Sequence, residues 1–186
     1  MRPELIRIDD SKPAVRFYLE AGPSSFARTI RTIKEKNAPR HQFRREFWQG
    51  LLDYLIENKR IWAKNRSTTS DSWINFKANA KNIYVGVSMA NKDRMRVDIG
   101  FMGDTQEGNK ANYYRYEAHK DIIMSRFKET DDVIFELLEN RIMSRIGIYI
   151  PYDKEKANND VRYATELYKW FDETLEKAYE IVSEYK

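Results

Sequence analysis

Residues 83–101 read IYVGVSMANKDRMRVDIGF, two alternating runs joined by a short polar loop. Side chains on a strand point alternately to opposite sides, so Ile83, Val85, Val87 and Met89 share one face of the first run. Met95, Val97, Ile99 and Phe101 share one face of the second. The pattern predicts a β-hairpin with one dry face. A lone two-stranded hairpin is marginal in water, so that face has to be covered by other elements. The opposite face carries Tyr84, Ser88, Arg94, Arg96 and Asp98, the best-defined polar surface in the chain.

The flanking segments complete an architecture. SWINFKA, from Ser72, puts Ile74 and Phe76 on one side and Trp73, Asn75 and Lys77 on the other, which extends the hairpin to a three-stranded antiparallel meander. Between His41 and Lys59, Phe43, Phe47, Trp48, Leu51, Leu52, Leu55 and Ile56 recur at spacings of three and four and predict an amphipathic helix. A second helix is expected over Asn109–Lys128. Strands are expected over Val133–Leu138 and Ile142–Ile150, the latter with Ile142 inward and Arg145 and Tyr149 outward. A long helix closes the chain from Val161 to Tyr185. Its apolar stripe runs through Val161, Ala164, Leu167, Phe171, Leu175, Ala178, Val182 and Tyr185, with Glu173 and Lys177 as an i,i+4 pair on the wet side. The order αβββαββα predicts an α+β fold, a mostly antiparallel βββ-α-ββ sheet packed by three helices over residues 41–186.

Residues 1–40 read differently. ELIRI and AVRFYLE flank the turn-like DDSKP and predict a small hairpin, followed after AGPSS by a linker helix over Ser25–Lys36.

Composition removes several function classes. With no cysteine there is no disulfide, thiol nucleophile or cysteine-ligated metal. No apolar run reaches the ~18 residues that span a bilayer, and the start lacks a signal-peptide layout, so the expectation is a cytoplasmic protein with no membrane partner. Neither phosphate-cradling glycine motif occurs, and no cofactor is expected. The two histidines, His41 and His119, read as structural or surface residues. Asp104, Glu107, Asp131 and Asp132 read as helix N-terminal and loop acids.

Charge is unevenly spread. Residues 28–66 hold eleven Lys or Arg against four Asp or Glu, while the whole chain carries +4. That segment, with Arg44 and Arg45, and the polar sheet face, with Lys77, Arg94, Arg96 and Arg145, could follow a phosphate backbone. Trp73, Tyr84 and Tyr149 on the same face could stack bases, or equally be covered by a helix or a second subunit. The αβββαβ order is shared with the PD-(D/E)XK nuclease core, whose metal site needs an Asp and an acidic-x-Lys pair on adjacent strands. Here Arg94-Met-Arg96-Val-Asp98 stands in that place, with two cations where a metal needs anions. No catalytic or metal-ligating residue is assigned.

FWQGLLDYL from Phe47, SWINF from Ser72, DRMRVDIGF, NKANYY from Asn109, SRIGIYI from Ser144 and YKWFDETLEKAYEI from Tyr168 together resemble an uncharacterised bacterial and archaeal domain of unknown function. That domain often follows a PD-(D/E)XK nuclease-like domain, and ELIRIDDSKPAVRFYLEAGPSSFARTI resembles the exit from one. The resemblance implies an accessory or DNA-handling domain, in genome defence or repair. With the basic segment and the polar sheet face, the leading expectation is a non-catalytic module that binds DNA or RNA or positions a nuclease partner. A protein–protein or homodimer module, and a divergent metal-dependent nuclease, are the alternatives.

Overall fold

A computed structural model describes residues 2–6, 14–18, 38–90 and 93–186. The chain divides into two compact units, residues 1–39 and 40–186. In the first, β1 (Arg2–Ile6) pairs antiparallel with β2 (Ala14–Tyr18), Arg2 opposite Tyr18 and Ile6 opposite Ala14. This is the hairpin expected around DDSKP. The helix expected over Ser25–Lys36 lies outside the described residues.

The second unit is α+β, as its alternating and helical periodicities require. Its first helix, α1 (Pro39–Glu57), starts one residue ahead of that boundary with a proline that presets a helical φ where no intrahelical donor is needed. Phe43, Phe47, Trp48, Leu51, Leu52 and Leu55 form its buried stripe. Ile56 falls beside that stripe and is half-exposed. After a short 3-10 turn at Ile61–Ala63 come β3 (Trp73–Lys77), β4 (Ile83–Ala90) and β5 (Arg94–Phe101). Then follow α2 (Gln106–Glu117), α3 (Lys120–Met124), β6 (Asp132–Glu136), β7 (Ser144–Pro151), α4 (Lys154–Asn159) and α5 (Val161–Tyr185).

Five of these strands form one sheet in the order β3-β4-β5-β7-β6, every neighbouring pair antiparallel. The second hairpin thus joins the meander through its later strand, so β7 lies inside the sheet and β6 forms an edge. Ile74, Phe76, Val85, Val87, Met95, Val97, Ile99, Phe101, Ile146 and Ile148 line the inner face and are buried. Against it lie α5, through Leu167, Phe171, Leu175, Ala178 and Val182, and α2, through Tyr113 and Tyr116. Phe101 meets Tyr113 and Tyr116 at ring separations of 6.2 and 5.0 Å. Each fully buried apolar side chain contributes roughly 1.5–3 kcal/mol, so this face dominates the stability of the unit.

Local departures from the sequence reading have local causes. The helix expected over Asn109–Lys128 is two helices, because Thr105 caps α2 at one end and the chain turns at Ala118 and His119, whose ring stacks on Tyr185 at 4.5 Å. The strand expected from Ile142 begins only at Ser144. Ile142 is exposed, and its carbonyl accepts from Asn109 Nδ2 at 3.0 Å. The strand expected to reach Leu138 stops at Glu136, since Leu138 takes φ 51 and Lys110 Nζ donates to the carbonyls of Leu137 and Leu138. Val161 is exposed at the first position of α5, ahead of the buried stripe. Glu173 pairs with Lys128 at 2.8 Å and Lys169 at 3.9 Å rather than with Lys177, which lies over Phe127.

Candidate functional site

The same five strands present a second face, and its rows follow from the register. One row runs Trp73, Ser88, Arg96, Tyr149, Asp132. The next runs Asn75, Gly86, Asp98, Gly147, Ile134, and the third Lys77, Tyr84, Gly100, Arg145, Glu136. Three glycines therefore alternate with large side chains on one surface. None of them takes a positive φ, so their role is space rather than backbone freedom. A Cβ on Gly100 would collide with the Tyr84 ring, one on Gly147 would meet the Tyr149 ring at 2.6 Å, and one on Gly86 would meet Asn75 Oδ1 at 2.5 Å. The two tyrosines thus recline over glycines instead of standing out from the sheet.

Charges fill the rest of the face as a paired network. Arg145 donates to both Glu136 oxygens, from Nη2 to Oε1 at 3.1 Å and from Nε to Oε2, and Tyr149 Oη donates to Oε2 at 2.9 Å. Arg96 Nη1 donates to Tyr149 Oη at 3.4 Å, and the Arg94 guanidinium covers the Tyr149 ring at 4.3 Å while pairing with Asp132 at 3.1 Å. At the centre Asp98 is only 4 % exposed. Arg96 Nε lies 2.6 Å from its Oδ1 and Arg145 Nε 3.9 Å away, but neither is aligned as a hydrogen bond to that oxygen. Ser88 Oγ reaches Oδ2 at 3.5 Å.

The titration behaviour follows from these positions. Burial pushes the Asp98 carboxyl up, against the pull of Arg96 and Arg145. Burial, with Asp98 nearby, pushes the Tyr84 phenol up to about 12. Glu136 is held below the usual carboxylate range: burial opposes its charge, and the hydrogen bonds from Arg145 and Tyr149 overcome that.

Between β3 and the Arg96–Arg145 pair the face dips into an open hollow of ≈ 430 Å³, within the roughly 300–1,000 Å³ range of ligand pockets. Asp98, Arg96, Arg145, Ser88 and Asn75 give it a polar floor, while Trp73, Met89, Met102 and Met143 supply apolar walls. Trp73 is 51 % exposed, and the Asn75 side chain makes no hydrogen bond among the described residues.

Residues 43–186 match a family described as a domain of unknown function, DUF4268. The chain belongs to that family. No curated protein and no solved structure matches it.

In this DUF4268 domain, Trp73, Lys77, Tyr84, Arg94, Arg96, Arg145 and Tyr149 lie together on the open face. Their states differ from what alternation alone implies. Tyr149 is 3 % exposed beneath two guanidinium groups, so its ring offers no surface for stacking. Four cations face three carboxylates, and Lys77 Nζ is the one of the four without an ion pair among the described residues. Arg44 and Arg45 sit on α1, where Arg44 Nη1 donates to the Ser70 carbonyl at 3.4 Å and the Arg45 carbonyl accepts from Thr68, so they flank the loop before β3 rather than the strands. Elsewhere in the basic segment, Arg60 is held by Asp172 and Glu176 at 2.6 and 2.5 Å.

Asp132 is a strand-edge partner of Arg94, not a loop acid, and Asp131 accepts from Trp170 Nε1 and the Lys128 amide. His41 Nδ1 donates to the Ser70 carbonyl at 3.2 Å and does not line the hollow. Among the described residues no three His, Cys, Asp or Glu stand close enough to share a metal ion, and no helix is long and apolar enough to cross a membrane. Sequence reasoning overlooked Asn75, Glu136 and the glycines as parts of the site. The one available signal was Gly86, Gly100 and Gly147 recurring at outward positions of predicted strands.

Proposed function

We propose that the domain is a non-catalytic nucleic-acid-binding module that takes a single strand across the open sheet face. The observation that carries this reading is the exposed Trp73 ring at the wall of a hollow whose floor is polar and charged. A base stacked on such a ring gains about 1–3 kcal/mol, and single-stranded modules combine such platforms with flanking cations. Its resemblance to domains that follow PD-(D/E)XK nuclease-like domains supports nucleic-acid handling as the setting. Because most cations of this face are neutralised within it, stacking and hydrogen bonding outweigh counterion release. The salt dependence is therefore shallow, on the order of one or two units of log K per unit of log salt concentration.

Fluorescence anisotropy of labelled single-stranded DNA and RNA, and of duplexes, across a salt series tests this. The expected result is binding of single strands with a shallow slope, weakened about fivefold or more on Trp73→Ala in a variant that keeps its fold. Absence of binding at low salt, or unchanged affinity in folded Trp73→Ala, overturns it. A second reading is favoured by exposed Met102 and Trp73 beside arginines, a composition enriched in protein interfaces. It makes this face the contact with a nuclease partner or a second copy, and concentration-dependent sedimentation tests the latter.

A further inference from the structure

Resting on the nucleic-acid reading, the geometry points to unpaired guanine as the base that this hollow selects. The argument starts from Asp98. Its carboxylate is buried at the floor, and its Oδ1 has a charged neighbour but no aligned donor. A buried acceptor in that state gains from a ligand that supplies N–H groups, and the gain is larger because the acceptor is charged. Arg96 Nε stands beside it without an aligned acceptor, while Arg145 is held by Glu136. The hollow thus asks for a flat ring with two adjacent donors next to an acceptor.

Among the bases only guanine presents that edge: N1–H and N2–H₂ for one carboxylate, with O6 beside them and N7 on the adjoining edge for a guanidinium. Adenine, uracil and thymine each offer one donor position, and cytosine offers one amino group against two acceptors. Trp73 lies two strands from Asp98, roughly 10 Å across the sheet at ordinary strand spacing. Gly86, in the row of Asp98, adds no side chain of its own, and the Asn75 amide, which makes no hydrogen bond among the described residues, leans over it. A base stacked at Trp73 that displaces the Asn75 amide extends its edge toward Asp98, and Arg96, held to Tyr149 through Nη1, has its misaligned Nε–H left to offer to O6. The donors used are those consumed by Watson–Crick pairing, so the guanine has to be unpaired.

The test uses the full chain and short labelled oligothymidylates carrying one central guanine, inosine, adenine or cytosine. Inosine keeps O6 and N1–H but lacks the N2 amino group, so it isolates one charge-assisted hydrogen bond. Guanine is expected to bind about tenfold or more tightly than inosine, and more tightly than adenine or cytosine. A guanine strand annealed to its complement loses that advantage. Asp98→Asn is expected to abolish the guanine–inosine difference while Trp73→Ala weakens all four strands together. If Asp98→Asn does not fold, the inosine exchange, made in the ligand, decides alone. Equal affinity for all four strands overturns the guanine assignment and leaves the nucleic-acid reading standing, and so does a preference for cytosine. Failure of every strand to bind overturns both.

Discussion

The two faces of the five-stranded sheet are built from the same strands by opposite means. The inner face is filled by branched and aromatic side chains that interlock with α5 and α2, so its stability is a sum of many apolar contacts. On the outer face glycines alternate with tyrosines and charged groups, and order there comes from rings lying over glycines and from one connected network joining Arg145, Glu136, Tyr149, Arg96, Arg94 and Asp132. Specificity on the inner face is a matter of volume, and on the outer face a matter of direction. Apolar contacts have no preferred orientation, whereas a carboxylate flanked by arginines does.

The largest expected effect lies on the inner side. Phe101→Ala removes a fully buried ring that touches two tyrosines and should cost about 3–5 kcal/mol in urea denaturation. A loss comparable to that of an outer-face truncation such as Trp73→Ala, expected within about 0.5 kcal/mol, would erase the contrast between the faces.

Gly100→Ala probes the outer face by crowding. Its new methyl displaces the Tyr84 ring, which can swing aside, so the cost should be about 1 kcal/mol. The same substitution in a Tyr84→Ala background should cost nothing measurable. If the penalty survives there, the glycine serves something other than the reclining ring.

The smallest effect is electrostatic and appears as a pH trend. A carboxyl whose folded pKa is raised leaves the folded state holding more protons than the unfolded one, so stability falls as pH rises from the ordinary Asp value through the raised Asp98 value. Asp98→Asn removes that fall, and the variant should gain on the wild type as pH increases across the acidic range. Glu136, whose folded pKa is lowered, works in the other direction: its contribution is present above the ordinary Glu value and is lost as pH falls through the lowered one. Glu136→Gln should therefore flatten the acid limb of the stability profile. Thermal unfolding between pH 3 and 7 reads both signs, and identical profiles for the two variants would contradict the assignment of opposite roles.

Much of this architecture was legible in one dimension. Alternation in IYVGVSMA and RMRVDIGF assigned each residue of the central hairpin to its face, because a one-residue slip would exchange the buried and exposed sets. The stripes of α1 and α5 were equally readable, apart from Ile56 and Val161 at or beside their ends. Boundaries were less so where distant groups set them: Lys110 and Asn109 on α2 bond the carbonyls around 137–143 and so fix where β6 stops and β7 starts.

The sequence by itself determined which side chains share the outer face. Their partners were decided only in three dimensions. Face membership is a local property of strand periodicity, repeated every two residues. The pairing of Arg145 with Glu136, the burial of Asp98 between arginines of β5 and β7, and the fit of Tyr84 over Gly100 all depend on the order β4-β5-β7-β6 and its register. That order is fixed by contacts between segments far apart in the chain, and no spacing within either segment encodes it.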